Sequence, residues 1–150
     1  MGLKIYESVD PDSAFSTEGS FDNPMDHSFN GALGEVVEAK YYLRNDDATK
    51  FYSSITIQPD DGGDNIVSGS GDTAGFSWKL IAGNSKPLEE QWDLQTAGAT
   101  ISMSNVGSVG AGDTSTYLPF WIRIEIPTNA QIASYQDVSL QIDCTEGLVT

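Results

Sequence analysis

The sequence predicts an all-β fold, a single antiparallel β-sandwich of immunoglobulin-like or jelly-roll-like type spanning residues 1–150, with an extended acidic arm at residues 9–30. Three observations carry this. From Tyr117 to Pro127, Leu118, Phe120, Ile122, Ile124 and Ile126 alternate with Tyr117, Pro119, Trp121, Arg123 and Glu125. From Asp137 to Cys144, Val138, Leu140, Ile142 and Cys144 alternate with Ser139, Gln141 and Asp143. Period-two alternation is the mark of a half-buried strand. The third observation is a set of other short alternating runs, separated by Gly, Pro, Asn and Asp turn signals, which is the spacing of a two-sheet sandwich. Because residues 128–136 are too few for a parallel crossover, the two late runs are expected to be neighbouring antiparallel strands.

The elements follow in order. Leu3 to Ser8 alternates as a short first strand, and Pro11, Gly19, Asn23 and Pro24 then punctuate a segment of little periodicity. Gly34 opens a strand in which Val37, Ala39, Tyr41 and Leu43 face one way while Glu38, Tyr42 and Arg44 lie nearer solvent. Asn45 to Thr49 is a polar turn. The next strand is expected to place Phe51, Ser53, Ile55 and Ile57 on one face. Pro59 to Asn65 and Ser68 to Asp72 form a Gly-rich excursion expected at the surface. Phe76 to Leu80 alternates, with Trp78 on the core side. Pro87 to Leu94 is the one plausible helical turn, with Leu88 and Trp92 spaced i, i+4. Residues 99–104 alternate again, and Asn105 to Ser115 is a loop of small residues.

Length and charge bound the function. A chain of 150 residues fits one core that buries roughly two thirds of its unfolded surface without disulfides or a structural metal. Seven Lys plus Arg against 22 Asp plus Glu give a net charge of −15, which repels phosphate backbones and anionic headgroups. No direct nucleic-acid or membrane contact is expected. The one cysteine, Cys144, lies on an apolar stripe and reads as a small buried hydrophobe. The first residues lack the apolar stretch of a secretion signal, and no run approaches the 18 apolar residues of a membrane helix.

No residue pattern names a reaction, and no cofactor is expected. Asp60, Asp61 and Asp64 beside Gly62 and Gly63 are a weak calcium candidate, since oxygen ligands and a pliant backbone suit that ion. Their spacing does not fit an EF-hand, and such turns are more often hydrated loops. His27, the single histidine, lies in the acidic arm and reads as solvated, while Glu89, Glu90 and Asp93 read as an exposed turn. Binding candidates are clearer. Tyr117, Trp121 and Arg123 share the face opposite the aliphatic stripe, where an aromatic marks an interface or is shielded by a neighbouring loop. Phe15, Phe21, Met25 and Phe29 punctuate the arm, whose stretch from Val9 to Asn30 holds five acids and no Lys or Arg. Such side chains either pin the arm to its own domain or insert into a neighbour.

The segment from Gly34 to Pro59, with its Leu-Arg-Asn ending at Asn45 and its Gln58-Pro59, together with Phe76 to Gly83, the Phe-Trp-x-Arg strand of Pro119 to Pro127 and Tyr135 to Ile142, resembles small β-sandwich structural proteins of tailed bacteriophage virions. The likeness covers about half the chain, and the same skeleton also resembles immunoglobulin-like modules of cell-surface proteins. It implies a non-enzymatic protein made in the host cytoplasm and assembled into the virion. There it would act as a capsid decoration or a tail- or neck-associated component, with other virion proteins and copies of itself as partners. The rival expectation is a carbohydrate-binding sandwich stacking sugars on Trp121 or Trp92, with calcium near Asp60 to Asp64.

Overall fold

Nine consecutive rungs, from Glu35 opposite Ile126 to Leu43 opposite Leu118, join the two longest apolar stripes of the chain into one antiparallel ladder. The computed structural model describes residues 2–9, 34–63, 65–128 and 139–150, together with the backbone of 14–17. Its strands are β1 (Leu3–Tyr6), β2 (Ala14–Thr17), β3 (Glu35–Asn45), β4 (Lys50–Asp60), β5 (Ser77–Ala82), β6 (Ile101–Ser102), β7 (Leu118–Ile126) and β8 (Ser139–Leu148). A short α-helix, α1 (Glu89–Asp93), precedes β6. A five-stranded sheet runs β2-β1-β3-β7-β5 and a three-stranded sheet runs β6-β4-β8, with antiparallel pairing between the neighbouring strands. The all-β, two-sheet expectation holds.

The core is where the stripes meet. Leu3, Ile5, Leu43, Phe120, Ile122, Ile124, Trp78 and Leu80 from the large sheet share one apolar cluster with Tyr52, Ile55, Ile57, Leu140 and Ile142 from the small one. Cys144 is half-buried against the same cluster. Burial of apolar surface at about 25 cal/mol per Å² is the main stabilising term here.

Four expectations need correction. The late strands β7 and β8 are not neighbours: β7 is flanked by β3 and β5, while β8 pairs with β4 in the other sheet. Both edges of β7 are taken by ladders of six or more rungs, so β8 contributes its apolar stripe from across the core instead. In β4, Tyr52 rather than Phe51 turns inward, being fully buried beside Ile55 and Ile57. The register slips between Ser53 and Thr56, where Ser54 adopts a φ of 51°, and a bulge of this kind reverses which parity faces the core. The excursion is not wholly superficial, because Ile66 and Val67, between its two stretches, are buried. Asp61 anchors them by accepting backbone hydrogen bonds from Ile66 (2.8 Å) and Val67 (3.1 Å). Lastly, part of the arm is a strand, since β2 extends the large sheet by pairing with β1. The alternating run at 99–104 narrows to β6, although Met103 still donates its backbone N–H to Ile55 (2.9 Å).

The chain passes from the large sheet to the small one at the corner between β3 and β4. Asn45 sits there with no exposed surface. Its amide donates to the carbonyls of Asp47 (2.9 Å) and Lys50 (3.1 Å), and its Oδ1 accepts from the Asp47 N–H (2.8 Å). Short polar side chains suit such corners because they hydrogen-bond backbone that no ladder can reach.

Candidate functional site

The outer face of the large sheet is built by the same alternation that builds the core. Each β3–β7 rung that points one residue inward points the next outward, so Lys40 lies opposite Trp121, Glu38 opposite Arg123 and Val36 opposite Glu125. Strand β5 extends two of these rungs, with Lys79 beside Arg123 and Ser77 beside Glu125. On the other side Lys4 pairs with Arg44 and Tyr6 with Tyr42.

Two side-chain clusters result. In the first, the Tyr117 ring meets Tyr6 edge-on at 5.7 Å and Tyr42 at 6.1 Å, and the Arg44 guanidinium lies 5.1 Å from the Tyr117 ring centre and 5.6 Å from that of Tyr6. Arg44 is fixed by donating from Nε to the Thr114 carbonyl (2.7 Å) and by Asp46 at 3.4 Å. The Tyr6 hydroxyl donates to Asp46. Beside this cluster, the Lys40 ammonium stands 5.4 Å from the Tyr42 ring and 5.9 Å from the Trp121 ring, and donates to Asn84 Oδ1 at 2.6 Å. Cations over aromatic faces in this way gain roughly 0.5–2 kcal/mol each, depending on desolvation.

The second cluster surrounds Arg123. Its guanidinium grips Glu89 of α1 with two hydrogen bonds (2.6 and 2.9 Å) and reaches Glu38 at 3.4 Å. Its Nε lies 3.0 Å from Glu125, close enough for ion pairing though not aligned for a hydrogen bond. Hydrogen bonds from Arg123 hold the Glu89 carboxyl below its usual range, and in turn Glu89 raises Arg123 further. Both therefore stay charged across the neutral range, which makes them a lock rather than a proton-transfer pair. The lock pins α1 on the sheet, where Lys79 donates to the Trp92 carbonyl (3.1 Å) and Trp92 is almost fully buried.

Burial gives two tyrosines a measurable signature in alkali, Tyr6 of the large sheet and Tyr52 of the small one. Burial, then Asp46, raises Tyr6 to about 12, and burial likewise raises Tyr52 to about 12. An unfolded tyrosine titrates near 10. A folded pKa above the unfolded value means that the protonated phenol stabilises the fold, fully below about pH 10 and progressively less between pH 10 and 12. Absorbance titration at 295 nm is expected to show at least two of the six tyrosines ionising only near pH 12, together with unfolding, and a Tyr6→Phe variant should lose one of them.

The expected site residues fare differently. Tyr117 and Trp121 lie half-buried on the outer face as the alternation implies. Arg123 lies on that face too, but at 8% exposure its guanidinium serves the Glu38–Glu89–Glu125 cluster instead of standing free. Trp92, a candidate sugar platform, is 1% exposed and offers no ring face. Phe15 falls in β2, whereas Phe21, Met25, Phe29, His27 and Asp64 lie outside the described residues. Asp60 caps Gly62 N–H (3.0 Å) and Asp61 caps Gly63, Ile66 and Val67, so their oxygens organise the turn. Burial pushes the Asp61 carboxyl up, but those backbone donors outweigh it and hold the group below its usual range. Among the described residues no group of three or more His, Cys, Asp or Glu is placed to hold a metal ion.

The residues that the sequence reading underweighted are Lys40, Tyr42, Arg44 and Tyr6. Their signal was the polar parity of β1 and β3, which becomes informative only once β7 is known to lie beside β3. Comparison of the chain with protein-family models, curated proteins and solved structures gives no match.

Proposed function

We propose that this chain is a non-enzymatic structural protein of a tailed-bacteriophage virion, a capsid decoration or a tail- or neck-associated component, that assembles through the outer face of its large sheet. One observation carries the reading. Of seven basic residues, Lys4, Lys40, Arg44, Lys79 and Arg123 stand on that face and Lys86 joins it by pairing with Glu38. In a chain of charge −15, this is the region where like-charged neighbours repel least, and it also carries Tyr42, Tyr117 and Trp121. Aromatic and arginine side chains are the usual anchors of protein interfaces. The resemblance in the β3, β4 and β7 segments supplies the virion context. The arm, through Phe15, Phe21, Met25 and Phe29, is proposed as a second contact.

The carbohydrate-binding alternative rests on Trp121, because Trp92 is 1% exposed and offers no ring face.

Trp121 is half-buried, so Trp121→Ala should leave the thermal midpoint within a few degrees of the parent. In particles purified after complementation in an infected host, its copy number is expected to fall at least tenfold, and Phe21→Ser with Phe29→Ser should act in the same direction. Normal incorporation of a folded Trp121→Ala protein refutes the outer-face reading, and quenching of Trp121 fluorescence by a sugar would favour the alternative.

A further inference from the structure

We infer that the outer face is a self-association surface whose occupant is a second copy of this chain, the Lys40–Trp121 rung of one copy seating on the Val36–Glu125 rung of the other. This rests on the assembly reading above and adds the identity of the neighbour.

The two rungs are complementary in both charge and polarity. Lys40 has no carboxylate within ion-pair distance among the described residues; its ammonium is held by Asn84 and two aromatic rings. Trp121 beside it is half-buried, its indole N–H reaching the Asn84 carbonyl at 3.4 Å. Four rungs further along the same ladder, Val36 is 54% exposed, one of the few large apolar side chains left in solvent, and it faces Glu125. The Glu125 side chain keeps a third of its surface exposed while touching Arg123 and Ser77. Val36 and Glu125 open into a cleft of about 430 Å³ that Gly75, Ile126, Pro127 and Thr128 help to line. One rung thus offers a cation and an indole, the other a carboxylate and an open apolar wall.

The middle rung explains why these two rungs stay distinct. Arg123 is held by Glu38 and by Glu89, and Lys86 also reaches Glu38 at 3.4 Å, so the guanidinium and the Glu38 carboxylate of that rung are already engaged within the chain. Lys40 lies four positions after Val36, about 13 Å along the strand, so knob and cleft of one copy lie too far apart to satisfy each other. A neighbouring molecule is what brings them together. Because the rungs differ, the contact serves a two-fold pair and a head-to-tail ring alike. Elsewhere on the chain Lys50 is the one basic residue, and it is engaged by Glu146 (3.0 Å) and Asp47 (3.9 Å), so a second acidic copy has no comparable landing place.

Analytical ultracentrifugation of the full chain tests this by charge exchange. The parent is expected to self-associate, and Lys40→Glu and Glu125→Lys should each weaken association at least tenfold. An equimolar mixture of the two should recover it, because each variant then finds an opposite charge in the other. Val36→Lys, at an exposed position where misfolding is not a concern, should weaken the parent to a similar degree, and circular dichroism checks that every variant is folded. A parent that stays monomeric at its highest soluble concentration overturns the inference, as does a mixture that stays monomeric. If Trp121→Ala is nonetheless lost from particles, the outer-face reading stands with a different neighbour; if Trp121→Ala is incorporated normally, that reading falls as well.

Discussion

Replacing Phe120 with alanine is expected to lower the unfolding free energy by about 3–5 kcal/mol, the largest effect of any single truncation considered. Phe120 has no exposed surface, projects inward from β7, an interior strand of the large sheet, and lies 6.1 Å from the Tyr41 ring. Its removal takes away both the transfer free energy of the ring and the contacts of the atoms that lined it, since a rigid sheet on either side cannot collapse into the space. Domains of this size are stable by roughly 5–15 kcal/mol, so the variant should lose a large share of its margin. Urea denaturation followed by tryptophan fluorescence measures it. Ile124→Ala, at 5% exposure on the same stripe, should cost about 2–5 kcal/mol, whereas Glu125→Ala on the opposite face should change stability far less. The reverse order would mean that the two faces of β7 have been exchanged.

The second large effect is at the corner between the sheets. Asn45→Ala strips hydrogen-bond partners from the Asp47 N–H and from the carbonyls of Asp47 and Lys50. Leaving a buried polar group unpaired costs about 1–3 kcal/mol, so the variant is expected to lose about 2–4 kcal/mol once partial hydration of the gap is allowed for. Asn45→Asp makes the sharper test. It preserves shape and the Oδ1 acceptor, yet turns the amide donor into a second acceptor facing two carbonyl oxygens, with a charge added in a fully buried place. Its urea midpoint should therefore lie below that of Asn45→Ala despite the smaller change in volume. Equal stability of Asn45→Asp and the parent would show that the two amide donor bonds contribute nothing at this corner.

These effects show which features local pattern can reveal. The inward sets of β3 and β7 were legible because nothing interrupts their period of two, and Ile122, Ile124 and Leu140 are buried where the alternation put them. The same logic failed in β4. Ser54 carries no sequence mark of a bulge, and one extra residue exchanged Tyr52 for Phe51 in the core. Ile66 and Val67 were hidden between Gly-rich stretches, where the anchoring carboxylate of Asp61 read as part of a hydrated loop rather than as a cap. Half of the candidate face was legible as well. Trp121 and Tyr117 could be placed on the outer side of a sheet, but the partners that give them meaning come from β1, β3 and the Asn84 loop, 37 or more residues away in sequence.

From the sequence by itself came the fold class, the strand faces wherever alternation runs unbroken, and a net charge that sets what the surface repels. All three depend on neighbours along the chain or on composition alone. Strand order, the burial of Trp92 and Arg123, and the gathering of six cations on one face were decided by the tertiary structure. Pairing of distant strands is set by how the whole apolar surface can be enclosed at once, and β7 took β3 and β5 as neighbours because that arrangement lets β8 close the core from the opposite sheet.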